Sequence, residues 1–112
     1  MEYISEIISQ FYQKYLPITQ KLHLSLELDF PDTTLTTGSP AQLSRTLDRA
    51  MRTMITQSHP GDQIRLAISP RTITLTNNNT ILPPSACQNL ASTNIRIKSR
   101  VGFGTNFILD IF

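Results

Sequence analysis

A chain of 112 residues that is 39% hydrophobic and 16% charged carries enough apolar material for one buried core and too little length for two, which excludes a disordered chain and predicts a single domain over 1–112. Ten basic against eight acidic residues leave a net charge of +2, too small an excess to make nucleic acid the expected partner. The single cysteine, Cys87, rules out an internal disulfide and points to a reducing compartment; with no leader-like start and no apolar run near the roughly 18 residues a bilayer demands, a cytoplasmic protein without membrane contact is expected.

Tyr3, Ile4, Ile7, Ile8, Phe11, Tyr12, Tyr15 and Leu16 recur at helical spacing and predict an amphipathic helix that Pro17 closes. Leu22, Leu24, Leu26, Leu28 and Phe30 then alternate with His23, Ser25, Glu27 and Asp29, predicting a strand over 21–30 with one wet face. After a turn at Pro31-Asp32, the threonine-rich run 33–37 predicts a short second strand. Ser39-Pro40-Ala41-Gln42 reads as a helix start with a capping box, and Leu43, Leu47, Ala50, Met51, Met54 and Ile55 form its buried stripe up to Ser58-His59-Pro60-Gly61.

Ile64, Leu66 and Ile68, a turn at Ser69-Pro70-Arg71, then Ile73 and Leu75 predict a hairpin. Asn77-Asn78-Asn79-Thr80 reads as a loop, with one or two helical turns possible over 85–90. Ile95 and Ile97 mark a further strand, 100–104 a tight connection, and 105–112 a last strand with Phe107, Leu109 and Ile111 on one face and Ile108 and Phe112 on the other. Two amphipathic helices and alternating strands are most economically joined as an α+β two-layer sandwich, with a mixed sheet of five or six strands covered on one face by both helices.

Three stretches carry a resemblance. The run 94–109, with Ser99 before Gly102-Phe103-Gly104-Thr105-Asn106-Phe107, resembles the final hairpin of the ATP-binding domain of sensor histidine kinases, in the wider GHKL group. The apolar pattern of 42–58 is similar to that group's N-box helix, and 73–84 stands where it has a strand entering Asp-x-Gly-x-Gly. The resemblance implies a histidine-kinase ATPase-like fold. It also implies which positions would meet nucleotide, and these depart from the pattern. Thr53 and Arg49 stand where oxygen ligands hold Mg²⁺; a guanidinium repels the ion and Thr replaces Asn poorly. Asn77 replaces the Asp that accepts from adenine, Asn79 replaces the first Gly, and the second Gly is missing between Thr80 and Ile81. The segment 85–93, where the phosphate-binding lid would start, has no glycine, so no ATP lid is expected.

Arg45, Arg49 and Arg52 share one helix face, which reads either as a solvated face or as a contact for an anion or acidic partner. Asn77, Asn78 and Asn79 read as a plain turn or as the remnant of a nucleotide edge. His23 and His59 read as surface residues, Cys87 as a structural cysteine, and Met51 and Met54 as core. No catalytic triad, metal-ligand spacing or carboxylate pair stands out, so no catalytic residue, metal or cofactor is expected. The expected function is a catalytically degenerate domain of this kind, acting in two-component signalling by binding a protein: a response regulator, a kinase or a second copy of itself. The helix with three tyrosines is a candidate contact. Two other readings stay open: a kinase domain that binds ATP with Mg²⁺ weakly, and an unrelated module with a chance hairpin.

Overall fold

The computed structural model describes residues 2–29, 36–37, 39–69, 72–81, 83, 85, 95–100 and 102–110. In chain order the elements are β1 (Glu2–Tyr3), α1 (Ile4–Lys21), β2 (Ser25–Asp29), β3 (Thr36–Thr37), α2 (Pro40–Gln57), β4 (Gln63–Ile68), β5 (Thr72–Asn77), β6 (Ile95–Arg100) and β7 (Gly104–Asp110). Five strands form one mixed sheet in the order β2-β4-β5-β7-β6. β2 runs parallel to β4 and every other pair is antiparallel. The strand alternation sends Leu26, Ile64, Leu66, Ile68, Ile73, Leu75, Phe107 and Leu109 to one face, where they meet the buried stripes of both helices in a single core. The opposite face carries Glu27, Arg65 and Lys98 in water. The expected two-layer sandwich is therefore the observed one.

Several elements differ locally from the expectation. α1 does not stop at Pro17 but continues to Lys21. Pro17 and Gln13, whose carbonyl loses its donor, both face outward where water replaces the missing bond. Tyr15 and Thr19 keep the buried stripe going across the proline. The Thr19 hydroxyl reaches the carbonyls of Tyr15 at 3.0 Å and Leu16 at 2.9 Å, so it is buried without loss. The expected strand over 21–30 starts only at Ser25, because helix occupies Lys21, Leu22 is 43% exposed and His23 takes φ 59°, while Phe30 lies outside the described residues. The leucine alternation continues into that turn without belonging to the strand.

Of the expected strand 33–37, Thr36–Thr37 pairs antiparallel with Glu2–Tyr3 in a separate two-stranded ribbon and does not join the main sheet. Ser39 starts α2 as expected, but its side chain makes no capping bond; its carbonyl accepts the Leu43 N–H at 3.0 Å. The capping box with Gln42 does not form. Asn77 is the last residue of β5 and fully buried, not a loop residue. Ile108 is half-buried on the outer face. Cys87, most of 85–93, Ile111 and Phe112 lie outside the described residues.

One backbone approach fixes the last hairpin against the rest. Gly104 has φ 76°, and a Cβ there would fall inside van der Waals contact with the Asn77 carbonyl oxygen and Asn78 Cα. Only glycine lets β7 start this close to the end of β5.

Candidate functional site

α2 buries Leu43, Leu47, Ala50, Met51 and Met54, so its remaining positions face outward. Arg45, Arg49 and Arg52 are all exposed there and, at spacings of four and three residues, share one side of the helix. Thr53 is half-buried, and its hydroxyl bonds to the Arg49 carbonyl at 3.1 Å. Thr56 does the same to Arg52 at 2.8 Å. The Thr53 hydroxyl thus donates its proton within its own helix, one turn along from the exposed Arg49.

Of the three arginines, Arg52 is held by a carboxylate that sequence reasoning treated only as a charge offset. Asp48 takes Lys14 at 2.6 Å, Arg52 at 3.0 Å and the hydroxyl of buried Tyr15. Partial burial would raise its pKa, but hydrogen bonds from Lys14 and Tyr15 and the charges of Lys14 and Arg52 outweigh burial and hold it below the usual carboxylate value. Tyr15 responds oppositely. Burial first, then the hydrogen bond to the Asp48 carboxylate and its charge, push the phenol up to about 12. Tyr15, expected in a contact surface, instead belongs to the seam between α1 and α2. Lys14, Arg45 and Asp48, with Gln10, Phe11 and Ser44, line a shallow groove along that seam. Arg45 and Arg49 make no ion pair among the described residues.

At the end of β5 the structure shows a buried polar cluster. The Asn77 amide donates to Ser58 Oγ at 2.8 Å and to Asp62 Oδ2 at 3.1 Å, while its Oδ1 accepts the Asn79 N–H at 2.9 Å. Asp62 Oδ2 also accepts the Thr80 hydroxyl at 2.6 Å and the His59 N–H at 2.9 Å. Burial would raise the Asp62 pKa, but these donors, led by the His59 amide, overcome it and lower the value. Ser58 in turn reaches the Met54 carbonyl at 2.7 Å, tying the cluster to the end of α2. Thr105 reaches the Thr80 carbonyl at 2.7 Å and Ser99 at 2.9 Å, which ties it to the last hairpin.

Both amide protons of Asn77 and one face of its oxygen are therefore engaged by the protein itself. Asn79, in contrast, is exposed in the turn and contributes its backbone. Asp62 is the residue that sequence reasoning missed; its only signal is an acidic side chain directly after a Pro-Gly turn and before a strand. His23 and His59 are exposed as expected, His59 with its Nδ1 3.9 Å from Asp62. Among the described residues no group of His, Cys, Asp and Glu is arranged to hold a metal ion, and no helix is long and apolar enough to cross a membrane.

No protein-family model and no curated protein matches the sequence. Solved structures match the fold. The cytoplasmic segment of histidine kinase QseC superposes with TM-score 0.77 at 11% identity, over 98% of this chain and 75% of that one. The nucleotide-free catalytic domain of histidine kinase ThkA gives 0.72 at 14% identity over 99% and 95%. ThkA in complex with the response regulator protein TrrA gives 0.73 at 13% identity, over 97% of this chain and 40% of that one. The chain thus has the fold of histidine-kinase catalytic domains over nearly its whole length, not the different strand order that a chance hairpin in another fold would bring.

Proposed function

We propose that this histidine-kinase ATPase-like domain does not take up Mg-ATP and acts by binding a protein partner in two-component signalling. The observation that carries this reading is Asn77. In the resemblance it occupies the adenine-reading position, yet its amide is consumed by Ser58, Asp62 and Asn79. Arg49 adds a guanidinium that repels a cation, and Thr53 a hydroxyl where the resembling family has an amide. These residues do not fit a magnesium triphosphate, so no catalytic step is assigned to the domain.

A response regulator is the favoured partner, because a protein of the same fold, ThkA, is seen in complex with one. A kinase or a second copy of this chain are the other outcomes that a partner search distinguishes. The exposed Arg45 and Arg49, with Arg52 already turned to Asp48, form the face offered to an acidic partner surface. A cytoplasmic location follows from such partners.

Isothermal titration with Mg-ATP tests the nucleotide half of the reading. No measurable heat is expected at concentrations where a working kinase domain saturates, and micromolar binding would return the domain to the ATP-binding class. Arg45→Glu with Arg49→Glu tests the partner half: capture of a response regulator in a two-component panel should fall about tenfold or more. Unchanged capture would move the contact elsewhere.

A further inference from the structure

We infer that the β6 edge of the sheet is a second docking surface, built to take an extended acidic segment of a partner protein as an added strand. β6 is the terminal strand in the order β2-β4-β5-β7-β6, and among the described strands only β7 pairs with it. Its register with β7 is unbroken over Ile95–Arg100, without bulge or proline, so its outer side presents regular strand backbone. Arg96, Lys98 and Arg100 are exposed at alternate positions, on the sheet face away from the helices. They repeat a positive charge about every 6.8 Å. Lys98 and Arg100 make no ion pair among the described residues. Phe103, 73% exposed in the following turn, completes a groove of about 520 Å³ with Lys98, Arg100 and Asn106.

Charge selects the occupant. A second copy pairing β6 to β6 would bring two cationic ladders together, which opposes self-association. A nucleic-acid duplex laid over the open face would span about 19 Å across the five strands and reach Glu27 and Asp29 on β2 at the far edge. An extended peptide with acidic residues at alternate positions matches the ladder in spacing and sign and stays on its edge. Backbone pairing supplies the hold and the alternate carboxylates supply the selection. This surface lies apart from Arg45 and Arg49 and does not depend on the nucleotide reading.

The test uses the full chain and a labelled eight-residue peptide of alternating glutamate and valine, followed by fluorescence anisotropy and by amide shifts in NMR. Saturable binding is expected, with shifts concentrated on residues 95–100 and 103. Lys98→Glu with Arg100→Glu should weaken it tenfold or more, while Lys21→Glu, a charge change beside the opposite edge of the sheet, leaves it unchanged. A peptide of the same charge, N-methylated at alternate backbone positions, should lose binding in the same measure. Equal affinity for the methylated peptide would overturn strand addition. Tighter binding of a single-stranded oligonucleotide than of the peptide would overturn the choice of occupant. Shifts confined to α2 would overturn the surface.

Discussion

At the scale of one residue, Asn77 is fixed by its buried partners: its amide donates to Ser58 and Asp62. Its Nδ2 lies 3.1 Å from Asp62 Oδ2, so an aspartate at 77 would set two carboxylates against each other in a buried site. Asn77→Asp, which restores the residue of the resembling family, is expected to cost about 2–4 kcal/mol at pH 7. Part of that returns near pH 5, where one of the pair keeps a proton. Urea denaturation at the two pH values measures it; equal losses at both would show that charge is not the cause.

The native carboxylates have the opposite sign. Asp48 and Asp62 are both held below 3.8, so their contribution to stability is complete above that value and is lost as pH falls through their folded pKa values. Tyr15, pushed up to about 12, contributes below pH 10 and loses its contribution as pH rises from 10 towards 12. A pH series of thermal unfolding on native protein, Asp62→Asn and Tyr15→Phe separates these limbs: the acid limb should flatten in the first variant and the alkaline limb in the second.

At the scale of elements, the places where sequence and structure part share a cause. Proline and leucine patterns were legible, but their meaning depends on which side of an element faces water. Pro17 falls on the outer side of α1, so the helix crosses it. Leu22 extends the alternation of β2 yet sits in the turn, because the left-handed His23 redirects the chain before the strand begins. Pro17→Ala is therefore expected to stabilise the protein by about 1–2 kcal/mol, since it restores one hydrogen bond and loses no packing. A drop in melting temperature would show that the proline holds a bend the packing needs.

The two glycines of the last hairpin give a sharper contrast. Both have positive φ, but a Cβ on Gly102 meets open space while one on Gly104 strikes the β5 end. Gly102→Ala should cost about 1 kcal/mol and Gly104→Ala clearly more than 2 kcal/mol. Equal costs would mean that φ alone, not the approach to Asn77, sets the requirement. The glycine pair was legible as a turn; that one of them makes room for another strand was not, because nothing local in the sequence marks the approach of 104 to 77.

Over the whole molecule the sandwich was legible because periodicity alone assigns one apolar face to the strands and one stripe to each helix. The parallel placement of β2 beside β4 at the sheet edge was not, since pairing partners at long separation leave no local trace. Nor was the Asp62 cluster, which draws on Ser58, His59, Asn77 and Thr80 from the end of α2, the turn after it, the end of β5 and the segment beyond it. The departures at 49, 53, 77 and 79 were readable as a list of substitutions. How the side chains at those positions are held, Asn77 bonded inward to Ser58 and Asp62 and Thr53 bonded to the Arg49 carbonyl, needed the three-dimensional partners.

The central claim is that the protein's own side chains have closed the nucleotide position. Its most direct test is a titration of isotopically labelled protein with Mg-ATP, read at the backbone amides of Thr53, Asn77 and Asn79 and at the Asn77 side-chain amide. These signals should stay fixed to millimolar nucleotide. Saturable shifts centred on Thr53 and Asn77 would contradict the account.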